Sequence, residues 1–318
     1  MQRYKVFITK NIPEKGIELL QKAGYEVTLG SHGKALRQAQ GKGAHGVLSL
    51  LTDRIDARFM DSIGLQLKVI SNMAVGLDNV DMAVAKERNI EVRNTPDVLT
   101  ESVAEHAAAL ILGVTRRIAE SDRFVRAGKF KGWDPELFLG IELKGKTLGI
   151  VGHGRIGCRL ADIMQKGFGM KVIYYDVVRD EAREKQCGIT YASLESLLKD
   201  SDVVSLHVPL LPGTRHLIGD KELRLMKQTA YLVNTARGAI VDEKALVKAL
   251  KGKWIVGAAL DVFESEPKFA SGLAKFENVI LTPHIASATK ETREKMAELA
   301  AQNIIAVLGG KGSAYLMK

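Results

Sequence analysis

Residues 147–157 read Thr147-Leu148-Gly149-Ile150-Val151-Gly152-His153-Gly154-Arg155-Ile156-Gly157, and a later run, Val172-Ile173-Tyr174-Tyr175, ends in Asp176. The first apolar run suits a strand and leads into a glycine-rich turn. Ile156, Leu160, Ile163 and Met164 then share one helical face before the second strand-like run. Gly152, Gly154 and Gly157 supply G-x-G-x-x-G, and the acid follows at about 20 residues, as dinucleotide-binding units require. Gly152 permits the tight turn, Gly154 lets a pyrophosphate approach the backbone, and Gly157 allows close helix–strand packing. The helix start at Arg155 and Ile156 offers unpaired N–H groups and partial positive charge to phosphates. Asp176 can accept hydrogen bonds from adenosine ribose hydroxyls. A tight turn in a sheet that binds nothing can carry three glycines too; the strand, helix and acid around them favour the dinucleotide.

Upstream, residues 4–9, 25–29, 46–51, 67–71 and 90–94 are short apolar, β-rich runs, with helical patterns near 13–23, 33–41, 55–63 and 79–88. This alternation predicts an open parallel sheet with helices on both faces. Pro13 suits a first helical turn and Gly24 a helix end. Thr100-Glu101-Ser102 opens a long helix with Val103, Ala107, Leu110, Ile111 and Val114 on one face and Arg116 and Arg117 at its C-terminal end. That helix is expected to bridge into a second domain. Residues 128–146 look irregular. Downstream, strands are expected at 148–151, 171–175, 202–208, 230–234, 255–260 and 278–281, six in all, matching a dinucleotide-binding sheet. A final helix from about Thr289 to Leu308 is expected to return to the first domain. The predicted division is 1–99 with 287–318, and 100–286 for the cofactor domain.

A length of 318 residues suits about two domains of ~150 each. No apolar run approaches the ~20 residues of a membrane span. Met1–Val6 leads straight into a strand-like run, without a signal-peptide pattern. Cys158 and Cys187 match no metal spacing and no disulfide framework, which fits a reducing cytoplasm, and Cys158 reads as packing. The net charge of +9 reads first as a soluble Lys/Glu-rich surface and second as a field drawing anionic substrates. Dispersed basic residues, with no basic and aromatic stripe, argue against nucleic acid.

Three motifs follow later strands. In Asn234-Thr235-Ala236-Arg237-Gly238, an arginine stands at a strand's C-terminal end, where ligands bind in such sheets. It can grip a carboxylate with two parallel hydrogen bonds, or be a surface arginine. Leu260-Asp261-Val262-Phe263-Glu264-Ser265-Glu266-Pro267 is an acidic span of a kind usually solvated. In Leu281-Thr282-Pro283-His284, the histidine alone would more often be structural. A histidine and a carboxylate, each just past neighbouring parallel strands, can instead meet at one rim. Glu266 would then favour the protonated imidazole of His284, making a general acid. His207-Val208-Pro209 also ends a strand and is assigned to the nicotinamide pocket. His153 reads as incidental, and His32, His45, His106 and His216 join no constellation.

Together these residues resemble the D-isomer-specific 2-hydroxyacid dehydrogenases, and most strongly the glyoxylate/hydroxypyruvate reductases among them. The likeness rests on Val75-Gly76-Leu77-Asp78-Asn79-Val80-Asp81, Asn94-Thr95-Pro96-Asp97-Val98-Leu99-Thr100, Gly145–Gly152, Thr235-Ala236-Arg237-Gly238 and Thr282-Pro283-His284. It implies α/β architecture: two doubly wound parallel-sheet domains, a flavodoxin-like substrate domain and a Rossmann cofactor domain, with the active site in a cleft between them. It also implies a homodimer joined through the cofactor domain. NAD(P)H would deliver hydride to the carbonyl carbon of a small anionic 2-keto acid, giving a D-2-hydroxy acid. Arg237 resembles the arginine that binds carboxylate and carbonyl oxygen, His284 the acid that protonates that oxygen, and Glu266 its paired carboxylate. Val75 and Gly76 resemble the loop whose amides hold the substrate carboxylate. Asp261 resembles the aspartate near the nicotinamide carboxamide, and Thr235, Ala236 and His284 fall to the cofactor as well. Hinges are expected near 99–101 and 285–288.

The chain departs from the family pattern in places. Ala286 stands where many members have glycine, and its methyl would crowd the nicotinamide. Asp176-Val177-Val178 lacks the Ser/Thr-Arg pair of NADP-using relatives, and a carboxylate repels a 2′-phosphate, so NAD is expected over NADP. Arg179 and Arg183 nearby keep NADP open. Glu266 argues against a formate dehydrogenase. Trp133-Asp134-Pro135 resembles a Trp-x-Pro segment of the glyoxylate/hydroxypyruvate reductases, and Trp133 there either reaches the partner subunit's cleft and limits substrate size or simply packs a long loop. Other specificities on this scaffold are D-lactate, 3-phosphoglycerate and phosphite, and a non-catalytic NAD-sensing corepressor-like protein is the rival of another class.

Overall fold

A computed structural model describes residues 4–30 and 40–310. The helix expected near 33–41 and His32 lie wholly or mainly outside the described residues. The chain forms two compact units, Met1–Leu99 with Ala288–Lys318, and Thr100–Ser287.

In the first unit, β1 (Lys5–Ile8), β2 (Glu26–Leu29), β3 (Gly46–Ser49), β4 (Val69–Asn72) and β5 (Glu91–Arg93) form a parallel sheet of order β2-β1-β3-β4-β5. That is a doubly wound order of the flavodoxin type. The two central strands β3 and β4 are buried at every position, as strands covered on both faces must be. Asp56 and Asp81 cap the helices Ala57–Ile63 and Met82–Glu87 by accepting the amides of Phe59 and Val84 at 3.0 and 3.1 Å. Pro13 stands at the N-cap of helix Glu14–Lys22, one place before the first turn where it was expected. The final helix, Lys290–Leu308, is capped by Thr289 and packs on this unit. A side chain at Gly16 would start 2.8 Å from the Ala297 carbonyl, and one at Gly46 would start 2.9 Å from Ile304. These two glycines therefore set how closely the helix seats.

In the second unit, β6 (Thr147–Val151), β7 (Lys171–Tyr175), β8 (Thr190–Tyr191), β9 (Val203–Leu206), β10 (Tyr231–Asn234), β11 (Gly257–Leu260) and β12 (Val279–Leu281) form a parallel sheet of order β12-β11-β10-β9-β6-β7-β8. Counted within the unit this is 3-2-1-4-5-6-7, the dinucleotide-binding order with one added edge strand. The expected six strands omitted β8. It spans only two residues, too short for an alternating pattern to be read. Ala107, Leu110, Ile111, Leu160 and Met164 cover one face against Leu148, Ile150 and Val233. Leu197, Leu223, Leu246 and Ala249 cover the other against Val151, Val204 and Leu232.

The long helix ends sooner than expected. Helix Thr100–Thr115 stops before Arg117, which takes a left-handed φ of 55° and starts a separate helix, Ile118–Arg126. Rather than closing the first helix, Arg117 forks onto Glu120 of the second, both contacts at 2.8 Å. Residues 128–146 carry neither helix nor strand.

Candidate active site

The chain reverses direction across its sheet between β6 and β9, and both strands end at residues singled out above. Gly152 takes a φ of +96°, and a Cβ there would lie 2.7 Å from the His207 backbone. A Cβ on Gly157 would lie 2.2 Å from the Gly152 carbonyl, so this glycine is what lets the helix start beside the strand. A Cβ on Gly154 would meet nothing within 4 Å, which leaves open space at the helix start. Helix Arg155–Phe168 has no side chain capping its N-terminus. Its first-turn amides, those of Arg155 and Ile156 included, are the natural partners of a diphosphate. Asp176 is fixed by the amides of His153 and Val177, both at 2.7 Å, and lies in a depression with His153, Tyr174, Arg179 and Asp180.

His153 packs inside the second unit. It is 7% exposed, its ring lies 4.4 Å from that of Tyr174, and neither ring nitrogen has a partner among the described residues. Burial first, then the charge of Arg183, lowers its imidazole below the usual range. His207 Nε2 sits 2.9 Å from Ser205 Oγ, and burial lowers this imidazole to about 4. His207, Val208 and Pro209 follow β9 beside the glycine turn, Val208 lying 2.8 Å from where a Gly152 Cβ would be. Cys158 donates to the His153 carbonyl at 3.2 Å and touches Arg183.

The opposite rim is built from the loops after β10, β11 and β12. Asn234, fully buried, accepts the Ala236 amide at 3.0 Å and donates to the Arg237 carbonyl at 2.9 Å, bracketing the turn that presents Arg237. The Thr235 hydroxyl is buried without a partner among the described residues. Glu266 Oε2 lies 2.9 Å from His284 Nδ1, and Glu266 Oε1 accepts the Phe263 amide at 3.0 Å. Burial pushes the Glu266 carboxyl up. Hydrogen bonds from His284 and Phe263, with the charges of His284 and Arg237, outweigh that and hold it below the usual range. The Glu266–Pro267 peptide is cis. With Nδ1 engaged, Nε2 of His284 is the nitrogen left for a substrate.

Asp261 organises the last loop. Fully buried, it accepts Thr282 Oγ1 at 2.6 Å and the amides of Ile285 and Ala286 at 2.9 and 2.8 Å. His106 Nε2 stands 3.4 Å away. Burial opposes its charge, yet these donors hold the carboxyl below its ordinary value. Between the tethered residues His284 adopts a left-handed φ of 55°, unfavourable by about 1–2 kcal/mol for a residue with a Cβ. His106, assigned to no constellation from sequence, is therefore part of the support. No sequence signal marks it, because 155 positions of chain separate it from Asp261. In the first unit, Asn94 and Asn72 donate to the carbonyls of Val75 and Gly76 at 2.8 and 3.0 Å, fixing the loop after β4. Among the described residues no cluster of His, Cys, Asp and Glu suits a metal ion, and no helix is long and apolar enough to cross a membrane.

Residues 108–286 match the family model described as D-isomer specific 2-hydroxyacid dehydrogenase, NAD binding domain. The chain is 51% identical over 315 residues to a glyoxylate reductase of Thermococcus litoralis, covering 96% of this chain and 94% of that one. Among solved structures, it is 34% identical, with a TM-score of 0.84, to a D-lactate dehydrogenase of Aquifex aeolicus complexed with NAD and lactic acid, over 96% of each chain. It is 32% identical, with a TM-score of 0.88, to an NADPH-dependent glyoxylate/hydroxypyruvate reductase of Sinorhizobium meliloti in complex with NADP and malonate, over 98% of this chain and 96% of that one. With likeness running nearly end to end, this chain belongs to the D-isomer specific 2-hydroxyacid dehydrogenases, nicotinamide-dependent oxidoreductases that interconvert 2-keto and 2-hydroxy acids.

Proposed function

We propose that the protein reduces a small 2-keto acid, glyoxylate or hydroxypyruvate, to the D-2-hydroxy acid with NADH. The observation that carries this reading is the 2.9 Å contact between Glu266 and His284, with the Arg237 charge acting on the same carboxylate. The reduced nicotinamide, when bound, supplies the hydride to the carbonyl carbon. Arg237 binds the substrate carboxylate and steadies charge growing on the carbonyl oxygen. His284, aligned by Glu266, gives that oxygen its proton. Val75 and Gly76 are assigned as amide donors to the substrate carboxylate.

NAD is favoured over NADP on two grounds. Asp176 puts a carboxylate where a 2′-phosphate would need a cation. Arg179 is engaged elsewhere, its guanidinium forked onto Glu184 at 2.7 and 3.0 Å. A homodimer fits the exposed apolar side chains of Ile118, Val125, Phe130, Trp133 and Leu139, all in the helix and irregular stretch past the long helix. Trp133 is 86% exposed, which favours a role outside packing within one chain. We assign it to the partner subunit's substrate site, where it would limit substrate size.

The test is loss of NADH absorbance with glyoxylate, hydroxypyruvate, pyruvate and phenylpyruvate in parallel, repeated with NADPH. Highest kcat/KM with the two small substrates, and with NADH, is the expected result. A preference for phenylpyruvate or for NADPH would overturn it.

A further inference from the structure

The loop from Phe263 to Ala270 carries Glu266, and its placement depends on a residue outside the rim. Glu243 begins helix Glu243–Lys251, a position where a carboxylate ordinarily faces water. Here it is only 5% exposed. One carboxylate oxygen accepts the Glu264 amide at 2.7 Å and the other accepts the Ala270 amide at 2.6 Å. Its two oxygens thus straddle the loop, one near each end. The Arg237 turn also leans on this loop. A Cβ on Gly238 would lie 1.9 Å from the Phe263 carbonyl carbon, so backbone meets backbone there. On the outer side, the Glu264 carboxylate is held by His216 Nε2 at 2.7 Å and Arg215 Nη2 at 3.2 Å. Pinned on both sides, the loop holds Glu266 against His284.

We propose that Glu243 is a positioning residue for the reaction, acting through Glu266 on His284. The inference rests on the general-acid reading above and adds the group that sets its geometry. Removing a fold-stabilising carboxylate would lower stability and activity together. A residue that works through Glu266 must do more: it must alter the pH dependence, and only while Glu266 is there. Charged groups facing the Glu266 carboxylate are His284 and Arg237. Those facing Glu264 are His216 and Arg215.

The experiment is a double-mutant cycle on NADH-dependent reduction. Glu243→Gln keeps one acceptor and turns an amide NH2 toward a backbone N–H. Glu243→Asp keeps both acceptors on a stem one methylene shorter. Glu243→Gln should lower kcat about tenfold, the effect of losing one hydrogen bond to a charged acceptor. It should also move the alkaline limb of the rate profile to lower pH, in the direction of Glu266→Gln. KM for NADH should stay within about twofold, since the cofactor turn is untouched. Glu243→Asp should recover part of the limb. In a Glu266→Gln background, Glu243→Gln should shift the limb no further. A fall in Tm with an unmoved limb, or additive losses in the double variant, would overturn the proposal. A Glu266→Gln enzyme with an unmoved limb would overturn the coupling of Glu266 to His284 on which the proposed function rests, and this inference with it.

Discussion

The two ends of the site in the second unit are built by opposite means. The phosphate end is backbone: a turn made possible by missing side chains, a helix start and one acid, all within 147–176. The chemical end is side chains from three loops, each loop tied by a buried polar group: Asn234 for Arg237, Glu243 for Glu266, Asp261 for His284. A site made of backbone needs only local sequence. A site made of side chains needs acceptors placed by the tertiary fold, because its loops have no ladder to hold them.

The sharpest way to separate the two ends is His284→Ala. It should cut kcat about 100- to 10,000-fold, the range of a general acid, while NADH binding measured by fluorescence falls far less, by no more than the loss of one nicotinamide contact. Equal losses in both would mean that the ends are not independent. Within the glycine turn, Gly157→Ala forces a Cβ to 2.2 Å from a carbonyl oxygen and should lower stability by about 1–3 kcal/mol in urea unfolding. Gly154→Ala meets no atom within 4 Å, so it should leave unfolding unchanged and weaken only NADH binding. The smallest effect concerns acid. Asp261 is held below its usual carboxyl range, so its stabilisation is complete above the unfolded value of ~3.9 and fades as pH falls through the depressed native one. Asp261→Asn should therefore lose stability at pH 7 and show a shallower decline in acid.

The same contrast explains what could be read in advance. Strand positions were visible because buried parallel strands appear as apolar runs, and the dinucleotide turn because its parts are neighbours in sequence. The meeting of Glu266 and His284 could be anticipated because their loops leave the neighbouring strands β11 and β12 at the same sheet edge. Their supports could not be. Nothing near Glu243 marks it as buried, and His106 reads as one more residue of a helix until the fold sets it beside Asp261. The burial of His153 was not visible because its ring packs on Tyr174 of β7, not on the turn that contains it. The edge strand β8 and the left-handed break at Arg117 are single-residue or two-residue events, below what periodicity can show.

The first unit's core includes Met296, Ala297, Ala300 and Ile304 from the last helix, seated against Gly16 and Gly46. During synthesis the N-terminal sheet emerges first yet stays uncovered on that side until the ribosome has passed Leu308. The intervening unit has all its own strands by Leu281 and can close earlier. Here the part made first is the part finished last, and a nascent chain stalled after about residue 290 should expose apolar β-strands to chaperones.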